Sequence, residues 1–208
     1  IRENPQEFSS LNGDMSRLDD APCLSIGGFY SLIEKARKNG EITFEREAFL
    51  FFETNNPGEV IVNTTRIIRH DPVDMWSLSD AETEGRRQAA EVINFAKKYI
   101  PGFQNAVVMF TGPAIGIRSS RQIVGLHVLT ADEIINCAKF EDVIAHGGYP
   151  IDIHPPEGND KLVDQSKVIP FEKRHLKNGE IYSIPYRSLI NNHVMNLITV
   201  GRSISATF

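Results

Sequence analysis

No two of the 15 glycines in this 208-residue chain stand at positions i and i+2. That spacing rules out a large class of cofactor-binding α/β folds. A dinucleotide-binding strand–turn–helix needs one glycine for its tight turn and another two residues on, where backbone approaches pyrophosphate. Hairpin signals and segregated helices without such a turn predict an α+β fold, largely antiparallel sheet beside helices, rather than a doubly wound parallel sheet. Residues 1–208 are read as a single domain, with 1–25 irregular and polar.

The elements follow from periodicity. Phe29, Leu32, Ile33 and Ala36 share one face of a short helix over 27–38, which Asn39-Gly40 ends. Strands are predicted at 48–53 and 59–65 around the turn Asn55-Asn-Pro-Gly58. Val60, Val62 and Thr64 fall on one face of the second. The longest helix is predicted over 80–99, opened by a Ser79/Glu82 capping box and closed by Pro101-Gly102. Its apolar stripe is Ala89, Ile93, Ala96 and Ile100, widened by Val92 and Tyr99. Glu82/Arg86 and Arg87/Glu91 are i, i+4 ion pairs on its outer side. Strands are expected at 106–110, 114–118 and 122–129, then a short helix opened by a Thr130/Glu133 capping box. Residues 140–180 read as long loops around a strand at 149–154, with 159–165 as the most mobile tip. Further strands are expected at 181–186 and 197–201.

Composition narrows the partners. The net charge of −5 argues against nucleic acid, whose phosphates need a basic face, and the clusters Lys35-Ala-Arg-Lys38 and Arg86-Arg87 are interleaved with acids. No apolar run reaches the roughly 18–20 residues that span a bilayer. The start is too polar for a signal peptide. Cys23 and Cys137 are far apart and outside any Cys-x-x-Cys, which fits a reducing, cytoplasmic setting without a disulfide framework.

Chemistry-bearing residues concentrate in Gly116-Ile-Arg-Ser-Ser-Arg-Gln-Ile-Val-Gly125. Arg118 and Arg121 lie in a polar break between two apolar runs, and their forked donors suit a carboxylate or phosphate. The alternative is a pair of surface charges or ties to local carbonyls. Asp152 and His154 share one side of an extended segment, as two metal ligands or as a base with its orienting carboxylate. No third ligand stands near in sequence, so no metal site is expected, and a structural or cleft-lining histidine is the simpler reading. Ile184-Pro-Tyr-Arg187 carries a phenol and a guanidinium on a stiff segment, where an edge strand with a structural arginine predicts the same residues. Gly-x-Ser-x-Gly, His-Glu-x-x-His and Gly-x-x-x-x-Gly-Lys are all absent.

Several segments, in order over nearly the whole chain, together resemble bacterial FAD-dependent oxidoreductases. They are Ile1-Arg-Glu-Asn-Pro-Gln-Glu-Phe8, Pro57-Gly-Glu-Val-Ile-Val-Asn-Thr-Thr-Arg66, Glu82-Thr-Glu-Gly-Arg-Arg-Gln88 with Tyr99-Ile-Pro-Gly-Phe103, Ile115–Gly125, Gly147-Gly-Tyr-Pro-Ile-Asp-Ile-His154, Ile184–Arg187 and Val200-Gly-Arg-Ser-Ile-Ser-Ala-Thr207. The resemblance implies the middle, substrate-side domain of a flavoprotein, in which a dinucleotide-binding unit precedes this segment and a flavin-binding helix follows it. It implies Gly201 and Arg202 at the edge of the FAD site. Arg118 and Arg121 would lie toward the flavin ring or the substrate, with His154, Tyr186 and Arg187 in the same cleft. The family usually carries Arg where this chain has His146, and His where it has Phe208.

The run Asn196–Phe208 reads as a buried strand entering a glycine turn, where a phosphate-suited helix N-terminus would normally follow. The expectation is therefore a domain inactive alone that binds no FAD. Its partners are a small-molecule substrate and the FAD-binding domain of the same polypeptide. A homodimer through the former domain interface near Val200 and Phe208 is also expected. Two other readings stay open: a non-catalytic small-ligand or interaction domain, and a metal-assisted hydrolase built on Asp152 and His154.

Overall fold

The computed structural model describes residues 2, 5–8, 16–152 and 175–207. The helices are α1 (Arg17–Asp20), α2 (Tyr30–Lys38), α3 (Met75–Tyr99) and α4 (Ala131–Ile135). The strands are β1 (Ser25–Gly28), β2 (Phe49–Glu53), β3 (Val60–Val62), β4 (Val143–Gly147) and β5 (Tyr182–Pro185). Single 3-10 turns stand at Pro5–Glu7, Tyr186–Ser188 and Gly201–Ser203. One sheet has the order β1-β2-β3 and the other pairs β4 with β5. All these ladders are antiparallel. The α+β expectation is borne out. The chain divides into two compact units, Ile1–Ile68 with Ser79–Ile115, and Arg69–Leu78 with Gly116–Phe208.

In the first unit the expected hairpin is present, with Phe51 opposite Val62 across β2 and β3. Gly58 turns it at a φ of 81°, a left-handed conformation that costs glycine little. Thr64 lies beyond the ladder and is buried, and its hydroxyl both accepts from Leu50 N–H and donates to Leu50 C=O. Gly27 and Gly28 belong to β1 rather than to the helix expected over 27–38. Phe29 makes the junction in a left-handed conformation, φ 62°, so α2 starts only at Tyr30. The Glu7 carboxylate then accepts from Ser31 N–H at that helix's N-terminus, where negative charge is favourable. Gly28 is required there, because a Cβ would fall 2.1 Å from the Glu7 carbonyl oxygen.

α3 begins five residues before the expected start. Asp74 does the work assigned to Ser79: its carboxylate accepts from Ser77 N–H at 2.7 Å and its carbonyl from Leu78 N–H. No helix breaker separates Met75 from Ser79, so the Ser79/Glu82 capping box gives way to this earlier cap. Of the expected stripe, Val92, Ala96 and Ile100 are buried and Tyr99 packs against the core, while Ala89 and Ile93 are only half-buried. The buried face also takes in Ala81, Gln88 and Phe95, and Phe95 joins an aromatic cluster with Phe49 and Tyr99.

The segment Glu82–Gln88 is a set of structural ties. Glu82 accepts from Ile115 N–H at 2.7 Å. Arg86 donates to the carbonyls of Gly112 and Pro113 and to the Thr111 hydroxyl. Arg87 bridges Glu84 and Glu91. The expected Glu82/Arg86 pair is loose at 3.9 Å, since both side chains serve the 111–115 backbone. Gln88, 2% exposed, docks edge-on against Arg66: the Arg66 N–H donates to its Oε1 at 2.8 Å, and its Nε2 donates to the Arg66 carbonyl at 2.9 Å.

In the second unit the strands expected at 122–129 and 197–201 form no ladder. A network of backbone hydrogen bonds takes their place. Ile123 N–H donates to Ser203 C=O, Leu126 to Ile190, His127 to Arg187, Leu129 to Ser205, and Ser205 to Ser188. Only Leu129 and Ala206 form an isolated, parallel bridge. The chains pass so closely that a Cβ at Gly125 would meet Ser205 Cβ at 2.8 Å and the Arg187 carbonyl at 3.0 Å. β5 matches the expected strand at 181–186. β4 was hidden in a stretch read as loop, since Val143–Gly147 shows no period-2 alternation of apolar residues. The segment 149–152 is not a strand, and 153–154 and the 159–165 tip lie outside the described residues.

The apolar run 106–110 of the first unit and the run 114–118, which crosses from the first unit into the second, also lack ladder partners among the described residues. Phe110 is 80% exposed, and in the second unit Val124 is 82% and Met195 86% exposed. Trp76, the only tryptophan, is exposed as well. None of the described helices is long and apolar enough to cross a membrane.

Candidate functional site

The second unit holds a cavity of about 190 Å³. Its walls are Leu129, Ile134 of α4, the extended run Tyr149–Asp152, Tyr182 of β5 and Thr207. Each wall has a local cause. Leu129 is buried and bonded to Ser205 and Thr207 through its backbone. Tyr182 lies against Gly147, its ladder partner. A Cβ at Gly147 would sit 2.4 Å from Tyr182 Cζ, so only glycine lets this ring lie there.

The expected capping box of α4 is present, with Glu133 N–H donating to the Thr130 hydroxyl and Thr130 N–H to the Glu133 carboxylate at 2.8 Å. His127 Nε2 reaches the same carboxylate at 3.1 Å. Burial of the Glu133 carboxyl works against its charge. Thr130 N–H, the His127 ring and the Thr130 hydroxyl outweigh that and hold it below the usual glutamate range. A lowered folded-state pKa contributes stability that is complete above about pH 4.5, the ordinary value, and is lost as pH falls through the folded value. We expect Glu133→Gln to flatten this part of the acid limb, so that the melting temperatures of variant and parent converge as pH falls through the folded value. Thermal melts between pH 3 and 7 read this, and an unchanged gap at low pH would refute it.

Arg118 stands beside the cavity. Its Nη2 donates to the Asp152 carboxylate at 2.8 Å and to the Asp152 carbonyl at 2.7 Å. Both side chains are about half exposed. Arg121 is exposed, with no hydrogen-bond partner among the described residues. The bond from Ile123 to Ser203 runs its segment alongside the one carrying Gly201 and Arg202. Arg202 is exposed and likewise unpartnered among the described residues, and Gly201 has a φ of 69°.

Tyr186 and Arg187 form part of the 3-10 turn that ends β5. The Arg187 guanidinium donates to both carboxylate oxygens of Asp142 and its N–H to one of them. The Arg187 side-chain bond, foremost, holds the Asp142 carboxyl below its ordinary range. Arg187 therefore ties β5 to the approach of β4. His154 lies outside the described residues. Among the described residues no group of three or more His, Cys, Asp or Glu is placed to hold a metal ion.

Sequence reasoning missed two lining residues of the site. Tyr149 and Tyr182 line one cavity from segments more than 30 residues apart. The signal available was Gly147-Gly-Tyr149, a glycine pair where a strand must accept an aromatic ring.

Comparison with curated proteins and with solved structures finds no match. The model of the family described as FAD dependent oxidoreductase matches residues 14–208, nearly the whole chain. This chain belongs to the FAD-dependent oxidoreductase family.

Proposed function

We propose that this chain is the substrate-side part of an FAD-dependent oxidoreductase and is inactive by itself. The observation that carries the reading is the cleft of the second unit, with the Arg118–Asp152 pair beside it, in a sequence without two glycines spaced i, i+2. FAD, where bound, supplies the electron transfer of the reaction. Two features of the present residues fit one edge of such a cofactor. The Arg202 guanidinium, unpartnered among the described residues, suits a phosphate oxygen, and a Cβ at Gly201 would meet nothing within 4 Å, so the backbone there is open to close approach. The glycine-rich cradle for the pyrophosphate is missing from this sequence.

The exposed apolar runs at 122–128 and 194–200 of the second unit are composed like sheet interior. Exposed apolar surface of this kind marks an interaction face. In our reading it is covered by the FAD-binding domain of the same polypeptide, and by a second copy when the chain is alone. Gel filtration with FAD in excess tests both halves. We expect a dimer carrying no flavin absorbance. Stoichiometric FAD on the eluted protein would overturn the cofactor half, and a strict monomer would overturn the interface half.

A further inference from the structure

The pentapeptide Lys-Asn-Gly-Glu-Ile occurs twice, at 38–42 and at 177–181. Asparagine before glycine readily loses its side-chain amide, because glycine has no Cβ to hinder attack by its own backbone nitrogen. The two copies share their local sequence, so any difference in reactivity between them comes from the fold.

At 38–42 the fold blocks the reaction. Asn39 caps the end of α2 with φ −83° and ψ −3°. Gly40 N–H donates to the Arg37 carbonyl at 3.0 Å, and Glu41 N–H to the Ala36 carbonyl at 2.9 Å. The side-chain Nδ2 donates to Glu41 Oε1 at 3.4 Å and to the Tyr99 hydroxyl at 3.3 Å. Ring closure needs the Gly40 nitrogen beside Asn39 Cγ. The peptide between them must turn far from its present ψ and give up these bonds.

At 177–181 the same atoms are unrestrained. Glu180 N–H donates to the Lys177 carbonyl at 3.0 Å and closes a β-turn, with Gly179 at φ 87°. A positive φ at the third position is the type II arrangement. Lys177 N–H donates in turn to the Glu180 carboxylate at 2.9 Å. The turn is thus held at its two ends. Its central peptide, Asn178 C=O with Gly179 N–H, has no hydrogen bond among the described residues, and nor has the Asn178 amide. Both residues are exposed. Types I and II share their ends and differ in the orientation of this peptide, so it rotates without opening the turn. A Cβ at Gly179 would meet nothing within 4 Å, which leaves room for the ring.

We propose that Asn178 is a site of spontaneous deamidation through a succinimide. The Gly179 nitrogen gives up its proton and attacks Asn178 Cγ. The Cγ–Nδ2 bond breaks, and the nitrogen leaves as ammonia. Water then opens the five-membered imide at either carbonyl, giving aspartate or isoaspartate. Oxidation states do not change, and water is the only co-reactant. The product carries one negative charge more than the −5 of the chain. Isoaspartate also adds a backbone methylene to the turn that leads into β5, whose Tyr182 lines the cavity.

The test is incubation of the folded 208-residue chain at mildly alkaline pH, followed by peptide mapping in acid by mass spectrometry. Asn12-Gly13 lies outside the described residues and maps to a separate peptide. We expect Asn178 to convert at least about tenfold faster than Asn39, a barrier difference of about 1.4 kcal/mol. In urea that unfolds the chain the two rates should converge, because the five residues are the same. Asn39 converting as fast as Asn178 in the folded chain would overturn the proposal. So would a gap that persists in the unfolded chain, or an Asn178 that stays intact when folded while both sites convert when unfolded.

Discussion

Replacing Phe49 by alanine is expected to lower stability by about 3–5 kcal/mol. Phe49 has no exposed surface. Its ring meets Phe29 at 6.2 Å, Phe51 and Phe95 at 5.7 Å and Phe103 at 5.8 Å between centroids. It thus joins β2 to α3, to the entry of α2 and to the turn after α3. Removing the ring loses its transfer free energy and leaves a cavity that four rigid aromatic neighbours cannot close. Urea unfolding followed by circular dichroism measures the loss. Ile61→Ala, at an exposed position of the neighbouring β3, serves as control and should stay within about 0.5 kcal/mol. A loss below 1 kcal/mol at Phe49 would show that the aromatic cluster does not support the first unit.

Gln88→Leu should cost about 2–4 kcal/mol, although leucine is the more apolar residue and an equally good helix former. The side chain stays buried on α3. What changes is Arg66, whose N–H and C=O lose the Gln88 amide at a half-buried position. Each unpaired group costs about 1–3 kcal/mol. Gln88 Nε2 also donates to Glu84 at 2.8 Å, so the variant frees one acceptor of the Glu84–Arg87 pair. Gln88→Glu retains one acceptor oxygen for Arg66 N–H, loses the donor to its carbonyl, and adds a buried charge. It should be no better than leucine. Equal stability of Gln88→Leu and the parent in urea would show that water reaches Arg66 in place of the amide.

Much of the fold could be read from local rules. The β2–β3 hairpin followed from Asn55-Asn-Pro-Gly58, where turn chemistry and strand composition agree. The Thr130/Glu133 box was legible because a capping box is four consecutive residues satisfying one another. β5 and α3 were legible as elements, and the family was legible in a series of short segments. The rest depended on distant parts of the chain. The start of α3 was misplaced because two capping signals compete, and the one nearer the N-terminus has nothing after it to interrupt the helix. The stripe of α3 was legible at Val92, Ala96 and Ile100, but not at Gln88, which counts as polar in any hydrophobic period. Its burial is set by the Arg66 backbone, 22 residues away.

The site divides in the same way. Arg118 and Arg121 stood out as a polar break between apolar runs, but the partner of Arg118 is Asp152, 34 residues on. Arg187 carried the same letters for a ligand contact and for a structural tie, and the position of Asp142 makes it a tie. The sequence by itself determined the class of fold, the exclusion of a dinucleotide turn and the kinship to FAD-dependent oxidoreductases, because these rest on residue spacing and residue type. Only the tertiary structure decided which apolar runs pair and which stay exposed, and that Tyr149, Tyr182 and Asp152 share one cavity. Burial and pairing depend on which distant segments meet, and no local period encodes that.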